Sequence, residues 1–267
     1  MSKVAIPIVP VLNDETLIRP SSTVVVARAA EGSPELSMVR RHEDASFGNA
    51  FAFPGGVIEI DDTKVHEFCG GLDAATADAR LGVEQGGLDY FSAAIRELFE
   101  ESGVLLADLS NLDENLVAIR DGLNSGTESW ADIVTRNELQ LHCNRLHYIS
   151  HWITPPLLPK RYSTRFFLTE LPDGQDALHC GGELTASCWQ TANAMLAAGR
   201  RGEAELHYPT VKTLESIARH KTLASLLDWA KSCVEWGITS MVPMVIIRDG
   251  KQEIVLPGDR DYPGAKS

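Results

Sequence analysis

Basic residues are in short supply in this chain: 24 Lys and Arg stand against 37 Asp and Glu, a net charge of −13 at pH 7. That deficit argues against a nucleic-acid or anionic-membrane surface, both of which need clustered cations. It leaves room for a phosphate substrate, because bound divalent ions can supply positive charge locally. No apolar run approaches the ~20 residues needed to cross a bilayer. The stretch from Met1 to Pro20 lacks a basic start followed by an apolar core, so secretion is not expected. The closing Ala265-Lys266-Ser267 is not a peroxisomal address, and the expected location is the cytoplasm. The five cysteines are odd in number and irregularly spaced, and Cys180 and Cys188 form no metal-ligand pattern, so reduced thiols are expected. Repeats and low-complexity tracts are absent.

What is present is enough for a full core: 267 residues, 44% of them hydrophobic, suit one domain with elaborations. Ser22 to Arg28 is β-branched between Pro20 and Gly32, which predicts a buried strand. Leu36 to Arg41 and Asn49 to Phe53 read as further strands, the second running into Pro54-Gly55-Gly56. Thr127 to Leu141 has helical periodicity, and Leu146 to Ile153 and Thr164 to Thr169 return to strand character across an extended link set by Pro155, Pro156 and Pro159. Leu184 to Trp189 suits another strand, Gln190 to Ala198 a helix, and Pro209 to Ala230 helix with Pro209 at a first helical position. Val242 to Ile247 and Gln252 to Leu256 around Asp249-Gly250 predict a terminal hairpin. Strands and helices in this order fit an α/β fold of the α/β/α sandwich type with a mixed sheet.

The run Arg96-Glu97-Leu98-Phe99-Glu100-Glu101-Ser102-Gly103-Val104 concentrates the chemistry. At about 100° per residue, Phe91, Ala94, Ile95 and Leu98 form one apolar stripe while Glu97, Glu100 and Glu101 share a neighbouring face. Like charges one turn apart repel by a few tenths of a kcal/mol per pair, roughly, so the isolated helix gains nothing from them. Hard oxygen donors clustered in this way suit Mg²⁺ or Mn²⁺ rather than Zn²⁺. A solvated acidic helix face is the alternative reading of the same residues. Asp89 as N-cap and Gly103 just past the end bound a helix of roughly Tyr90 to Ser102. Gly55-Gly56 permits a sharp turn and close approach of a carbonyl to an ion, or makes a turn and nothing more. Arg96 cannot ligate a metal; an ion pair with Glu59 or Asp62 would tether the preceding loop to the helix. His147 and His151 stand four apart, a metal-clamping spacing on a helix, but their segment reads as a strand.

Gly56, Asp62 and the run from Arg96 to Val104 resemble the Nudix box, G-x5-E-x7-R-E-U-x-E-E-x-G-U with U aliphatic. The second half matches at every defined position. In the first half Asp62 stands where the family usually has Glu, and the spacer from 63 to 95 holds 33 residues instead of 7. A long insertion inside the box is a habit of the Nudix branch that contains the mammalian peroxisomal coenzyme A diphosphatase. The chain is similar to that branch from Arg41-His42-Glu43-Asp44-Ala45-Ser46-Phe47 through Ala52 to Val57, at Arg165-Phe166-Phe167-Leu168, at Glu183, Trp189 and Pro209-Thr210, and at Leu256-Pro257-Gly258-Asp259 with Tyr262-Pro263.

The resemblance implies one Nudix domain over 1–267, with an insertion at about 63–88 and a helical and hairpin extension at about 209–267. It implies a divalent-metal-dependent diphosphatase in which Glu97, Glu100, Glu101 and the Gly56 carbonyl hold Mg²⁺ or Mn²⁺. Arg96, Glu97 and Glu100 are then the catalytic positions, with Glu97 the first candidate base and Glu183 the second, although Glu183 also reads as a strand-edge carboxylate. Arg41 and Arg165, with Lys160 and Arg161, could meet substrate phosphates, each being by default a surface charge. The implied partner is a small nucleoside-diphosphate-linked molecule, coenzyme A or its acyl esters first and ADP-ribose or NADH second, with neither nucleic acid nor membrane; a homodimer is compatible with the sequence. An upstream coenzyme A signature, an Arg and a Gly with three residues between them before Phe-Pro-Gly-Gly, is not matched: Gly48 sits one residue too far from Phe53 and Asp44 occupies the Arg position. A non-catalytic nucleotide-binding module is the alternative from another class, though such modules typically lose box carboxylates, and all three helix glutamates are kept.

Overall fold

Four consecutive residues, Val24 to Ala27, have no solvent exposure at all. Successive side chains of a strand point to opposite faces, so a run buried without a break needs a layer on each side of the sheet. The computed structural model, which describes residues 18–41, 50–110, 112, 115–156, 158–178 and 184–263, supplies both layers. Val24 and Val26 enter one hydrophobic core, and Val25 and Ala27 enter a second on the opposite face.

The first half of the chain comprises β1 (Ile18–Arg28), β2 (Glu35–Arg41), β3 (Ala50–Ala52), β4 (Gly55–Val57), β5 (Cys69–Gly70), α1 (Ala74–Leu81), α2 (Gly87–Ser102), α3 (Leu116–Asn124), α4 (Trp130–Arg136) and β6 (Leu141–His142). The second half comprises β7 (His147–Ile153), β8 (Arg161–Glu170), β9 (Leu184–Thr191), α5 (Ala192–Arg201), β10 (Glu205–Leu206), α6 (Tyr208–Ile217), α7 (Leu223–Trp236), β11 (Ser240–Met241), β12 (Met244–Arg248) and β13 (Lys251–Val255). The main sheet runs β10-β3-β2-β1-β8-β7-β11, with β4 pairing β1 and β9 pairing β2. It is mixed: β1 is parallel to β8 and antiparallel to β2 and β4. One core holds Phe91, Ile95 and Leu98 of α2 with Trp130 and Ile133 of α4; the other holds residues of α5, α6 and α7. This is the α/β/α sandwich.

α2 presents the expected stripe inward, Phe91, Ala94, Ile95 and Leu98 all being fully buried, and Phe91 meets Phe167 of β8 with ring centroids 4.9 Å apart. The helix starts earlier than its sequence signals suggested. Gly86, not Asp89, is the N-cap, at φ 79, and Asp89 instead lies in the first turn, where its charge suits the positive end of the helix and accepts from His66 at 2.6 Å. The far end is as expected: Gly103 takes φ 74 and its N–H bonds the Phe99 carbonyl at 2.8 Å. Helical periodicity over Thr127 to Leu141 yields only α4, because Asn137 caps it and Glu138 at φ 47 turns the chain away. Pro209 to Ala230 is two helices, broken at Ala218 and restarted where Thr222 caps α7 with a bond to the Ser225 N–H. The terminal hairpin pairs Arg248 with Lys251 around Asp249 at φ 49 and Gly250 at φ 73, two left-handed residues as a tight hairpin turn requires.

At Gly103 an added Cβ would lie 2.9 Å from Nη1 of Arg120, in a left-handed backbone that an L side chain resists. Gly103→Ala is expected to lower stability by about 1–2 kcal/mol, read as a shift in the urea midpoint with the slope unchanged.

Candidate active site

The helix run and the glycine pair, far apart in sequence, meet through β4. This short strand pairs with β1, Gly56 opposite Ser22 and Gly55 opposite Thr23, and it lies against α2. The contact is close at both glycines, against a side chain at Gly56 and against backbone at Gly55. A Cβ on Gly56 would fall 2.3 Å from Oε1 of Glu97, and one on Gly55 would fall 2.3 Å from the Ser22 carbonyl. The Gly55 N–H donates to Oε2 of Glu101 at 2.9 Å.

Arg96 organises the rest. Its Nε and Nη2 donate to the two oxygens of Asp62 at 3.1 and 2.9 Å, and Nη2 also reaches the Val57 carbonyl at 2.9 Å. Nη1 donates to Glu97 at 2.9 Å and to Glu100 at 3.1 Å. Asp62 is fully buried and Arg96 2% exposed. Of the two partners the sequence allowed, Asp62 takes the guanidinium. Glu59 instead caps the one-turn helix Ile60–Lys64, and its N–H bonds Asp62 Oδ2 at 2.8 Å. That turn brings the shorter Asp side chain up to Arg96. Ser92 donates to Asp62 at 3.1 Å and is in turn held by the Trp130 indole at 3.1 Å.

Three carboxylates thus share one buried cation. Burial works against the charge on Arg96, but Asp62, Glu97 and Glu100 outweigh it and hold the guanidinium above its ordinary value. Burial raises the Asp62 carboxyl, with Arg96, the Glu59 N–H and Ser92 pulling the other way. Burial likewise raises Glu97 despite Arg96. Glu100 is pushed up to about 7, by burial first and then by the neighbouring charges of Glu97, Glu59 and Asp62, with Arg96 opposing.

No family profile matches the chain. It is 25% identical over 250 residues to a Caenorhabditis elegans protein named nudix hydrolase 7, covering 90% of this chain and 74% of that one. It is 24% identical over 271 residues to the acyl-coenzyme A diphosphatase NUDT19 of Xenopus laevis, covering 86% and 71%. A solved Nudix hydrolase from Alicyclobacillus acidocaldarius superposes with a TM-score of 0.68 at 25% identity, covering 80% of this chain and 97% of that one.

In sequence and in fold the chain resembles Nudix hydrolases. Enzymes of this kind are pyrophosphohydrolases that generally use divalent metal ions. The 33-residue spacer is accommodated by looping out between the two halves of the box. His66 of the insertion holds Asp89, and Asp78 of α1 accepts from the Gly87 N–H at 2.6 Å, so the insertion is fastened to the first turn of the box helix.

Among the described residues no three His, Cys, Asp or Glu side chains are gathered around a common point as an ion would require. Glu97 and Glu100 are turned to Arg96, and Glu101 to Gly55. The expected metal set is therefore adjacent but not convergent. Its chemistry fits a hard divalent cation all the same: the donors are carboxylate oxygens, and burial holds Glu97 and Glu100 above their ordinary values in spite of Arg96.

Of the other sequence candidates, those whose side chains are described lie apart. Arg165 is buried in β8 beside Tyr90, two strands from Gly56 and near the opposite end of α2 from the glutamates. Arg41 ends β2, with its side chain outside the described residues, and Glu183 lies outside them altogether. Arg161 is turned to the Thr154 carbonyl at 3.2 Å. His147 and His151 lie in a strand as read, and His151 meets the hydroxyls of Ser163 and Ser240 at 2.8 and 2.7 Å. Sequence reasoning missed Ser92 and Trp130, which back Asp62, and the cap that α3 provides, where Arg120 and Asn124 donate to the Glu100 carbonyl at 3.0 and 3.3 Å. None of these carries a motif signal; only the helical position of Ser92, one turn before Arg96, hinted that it shares that face.

Asp62→Asn, which keeps the shape and removes the charge, is expected to destabilise the protein by about 1.5–3 kcal/mol in urea denaturation, because two buried bonds from Arg96 lose their charged acceptor while Glu97 and Glu100 still face the guanidinium. The metal-free protein should also respond to pH through Glu100. Its folded value lies above its unfolded one, so its stabilising contribution is fully present below the ordinary glutamate value of 4.5 and lost as pH rises through about 7. Chelator-treated protein is expected to lose thermal stability across that window, and Glu100→Gln to flatten the dependence.

Proposed function

We propose that this chain is a Nudix hydrolase that cleaves the diphosphate bond of a nucleoside-diphosphate-linked small molecule with Mg²⁺ or Mn²⁺, and that its substrate is coenzyme A or an acyl ester of it, giving adenosine 3′,5′-bisphosphate and 4′-phosphopantetheine. The observation that carries the reading is the closing of the split box, with Gly55 and Gly56 on Glu101 and Glu97 and Asp62 on Arg96, although 33 residues separate its halves. A chance acidic helix has no reason to meet a distant glycine pair this closely.

Glu97, Glu100, Glu101 and the Gly56 carbonyl are the groups proposed to hold the ion, which when bound neutralises charge on the diphosphate and activates water. Glu97 is the first candidate for general base, burial raising its carboxyl and so making it a better proton acceptor. Arg96 keeps both halves of the box in place and orients Glu97 and Glu100 from the protein side. Support for the coenzyme A substrate comes from the likeness to the Xenopus acyl-coenzyme A diphosphatase over 86% of this chain. The four described cysteines are free thiols, which supports a reducing compartment, and we read the protein as cytoplasmic. Among the described residues no helix is long and apolar enough to cross a membrane.

Purified protein with Mn²⁺, offered a panel of nucleotide diphosphates and read by product mass, is expected to turn over coenzyme A or acyl-coenzyme A fastest. Glu100→Gln should lower that rate by more than about a hundredfold. Cleavage of ADP-ribose or NADH with coenzyme A intact would move the substrate to the second candidate, and an undiminished rate in the variant would remove the metal role of Glu100.

A further inference from the structure

Arg165 is a cation that the box does not use. It is 5% exposed, and its Nε and Nη1 have no hydrogen-bond partner. The bond it does make, from Nη2 to the Leu81 carbonyl, is long at 3.3 Å. Its guanidinium carbon lies 4.1 Å from the centroid of the Tyr90 ring. The Tyr148 hydroxyl lies beside it, and His151 occupies the facing position in β7. Burial, and then the charge of Arg165, hold His151 down to about 4, so the histidine adds no second positive charge.

A buried guanidinium whose donors are not taken up is costly, because it has given up its hydration without full return. What faces it is the last carbonyl of the eight-residue helix α1, the negative end of a helix dipole, equivalent to only about half a charge. A carbonyl in that place imitates an anionic oxygen without matching it. The chain around it can yield: Gly82 at φ 62 follows Leu81 directly with nothing near its Cβ position, and Gly86 at φ 79 closes the link to α2. Arg165 pairs with Ser22 of β1, which pairs with Gly56. Two strand spacings separate the two, about 10 Å, within the span of a nucleotide carrying phosphate at both ends of its sugar.

We propose that Arg165, flanked by Tyr90, Tyr148 and His151, is a subsite for a phosphomonoester dianion, covered by the C-terminal end of α1, whose Leu81 carbonyl holds the place that a phosphoryl oxygen takes. The subsite itself stands on the geometry around Arg165. Only the identity of its natural ligand, a phosphate carried by the substrate away from the diphosphate, rests on the nucleotide-hydrolase reading.

The test uses the full chain stripped of metal by chelator, so that no turnover is involved, and inorganic phosphate as the probe, with chloride at matched ionic strength. Phosphate is expected to raise the melting temperature of the parent, and Arg165→Met to weaken its apparent affinity by about tenfold or more, the loss of one charge-assisted pair. The same variant should be as stable as the parent without phosphate or more so, since it removes an unpaired buried charge. Parent-like phosphate affinity in the variant overturns the proposal. Should the variant fail to fold, hydrogen exchange on the parent decides: amides of Asp78 to Gly82 should exchange faster with phosphate bound, and unchanged exchange overturns it. Adenosine 3′,5′-bisphosphate binding at least about tenfold tighter than adenosine 5′-monophosphate, with the advantage lost in Arg165→Met, assigns the site to a nucleotide phosphate; equal binding of the two nucleotides with phosphate binding kept leaves the subsite and removes the nucleotide as its ligand.

Discussion

The pairing of Arg96 with Asp62 is the interaction on which the rest of the site depends. Both groups are buried, and a buried guanidinium is tolerable only when its donors are taken up in good geometry. Asp62 takes two of them, while the Val57 carbonyl, Glu97 and Glu100 take the others. One side chain therefore ties together the strand that carries Gly56, the turn that carries Asp62 and the helix that carries the glutamates. Ser92 and Trp130 hold Asp62 from behind, so the ion pair is anchored into the α2–α4 core rather than standing free.

The fold makes this arrangement possible by placing β4 and β8 on either side of β1. Thr23 and Ser22 of β1 lie opposite Gly55 and Gly56, and the same Ser22 lies beside Arg165. The Ser22 hydroxyl donates to the Tyr90 carbonyl at 2.7 Å, linking the strand to the N-terminal part of α2. The acidic cluster and the buried cation thus share one strand as a base and one helix as a cover. Overall charge is unhelpful to an anionic substrate at −13, which makes a local source of positive charge a condition of the proposed chemistry.

Much of this was legible in the residues. The stripe Phe91, Ala94, Ile95, Leu98 announced the buried face of α2, and Gly103 its end, because both signals are local and no tertiary contact competes with them. The β-branched run in β1 was legible for the same reason. The start of α2 was not: Asp89 is a good N-cap by type, but Asp78 of α1 captures the Gly87 N–H and the helix begins sooner. The Arg96 partner was narrowed to two acids and no further, since the choice depends on how the Ile60–Lys64 turn folds. The charge of Arg165 suits a phosphate contact or, by default, a surface position; that α1 buries it depends on an insertion whose course no motif describes.

The central claim is that the glutamates of α2, organised by Arg96, grip a divalent ion. Titration of Mn²⁺ into the chelator-treated protein, followed by electron paramagnetic resonance, tests it most directly. The account predicts a saturable bound-ion signal that disappears when Glu97 and Glu101 are both changed to Gln in a protein that keeps its fold by circular dichroism. An equal signal in that doubly substituted protein, or no bound ion in the parent, would contradict it.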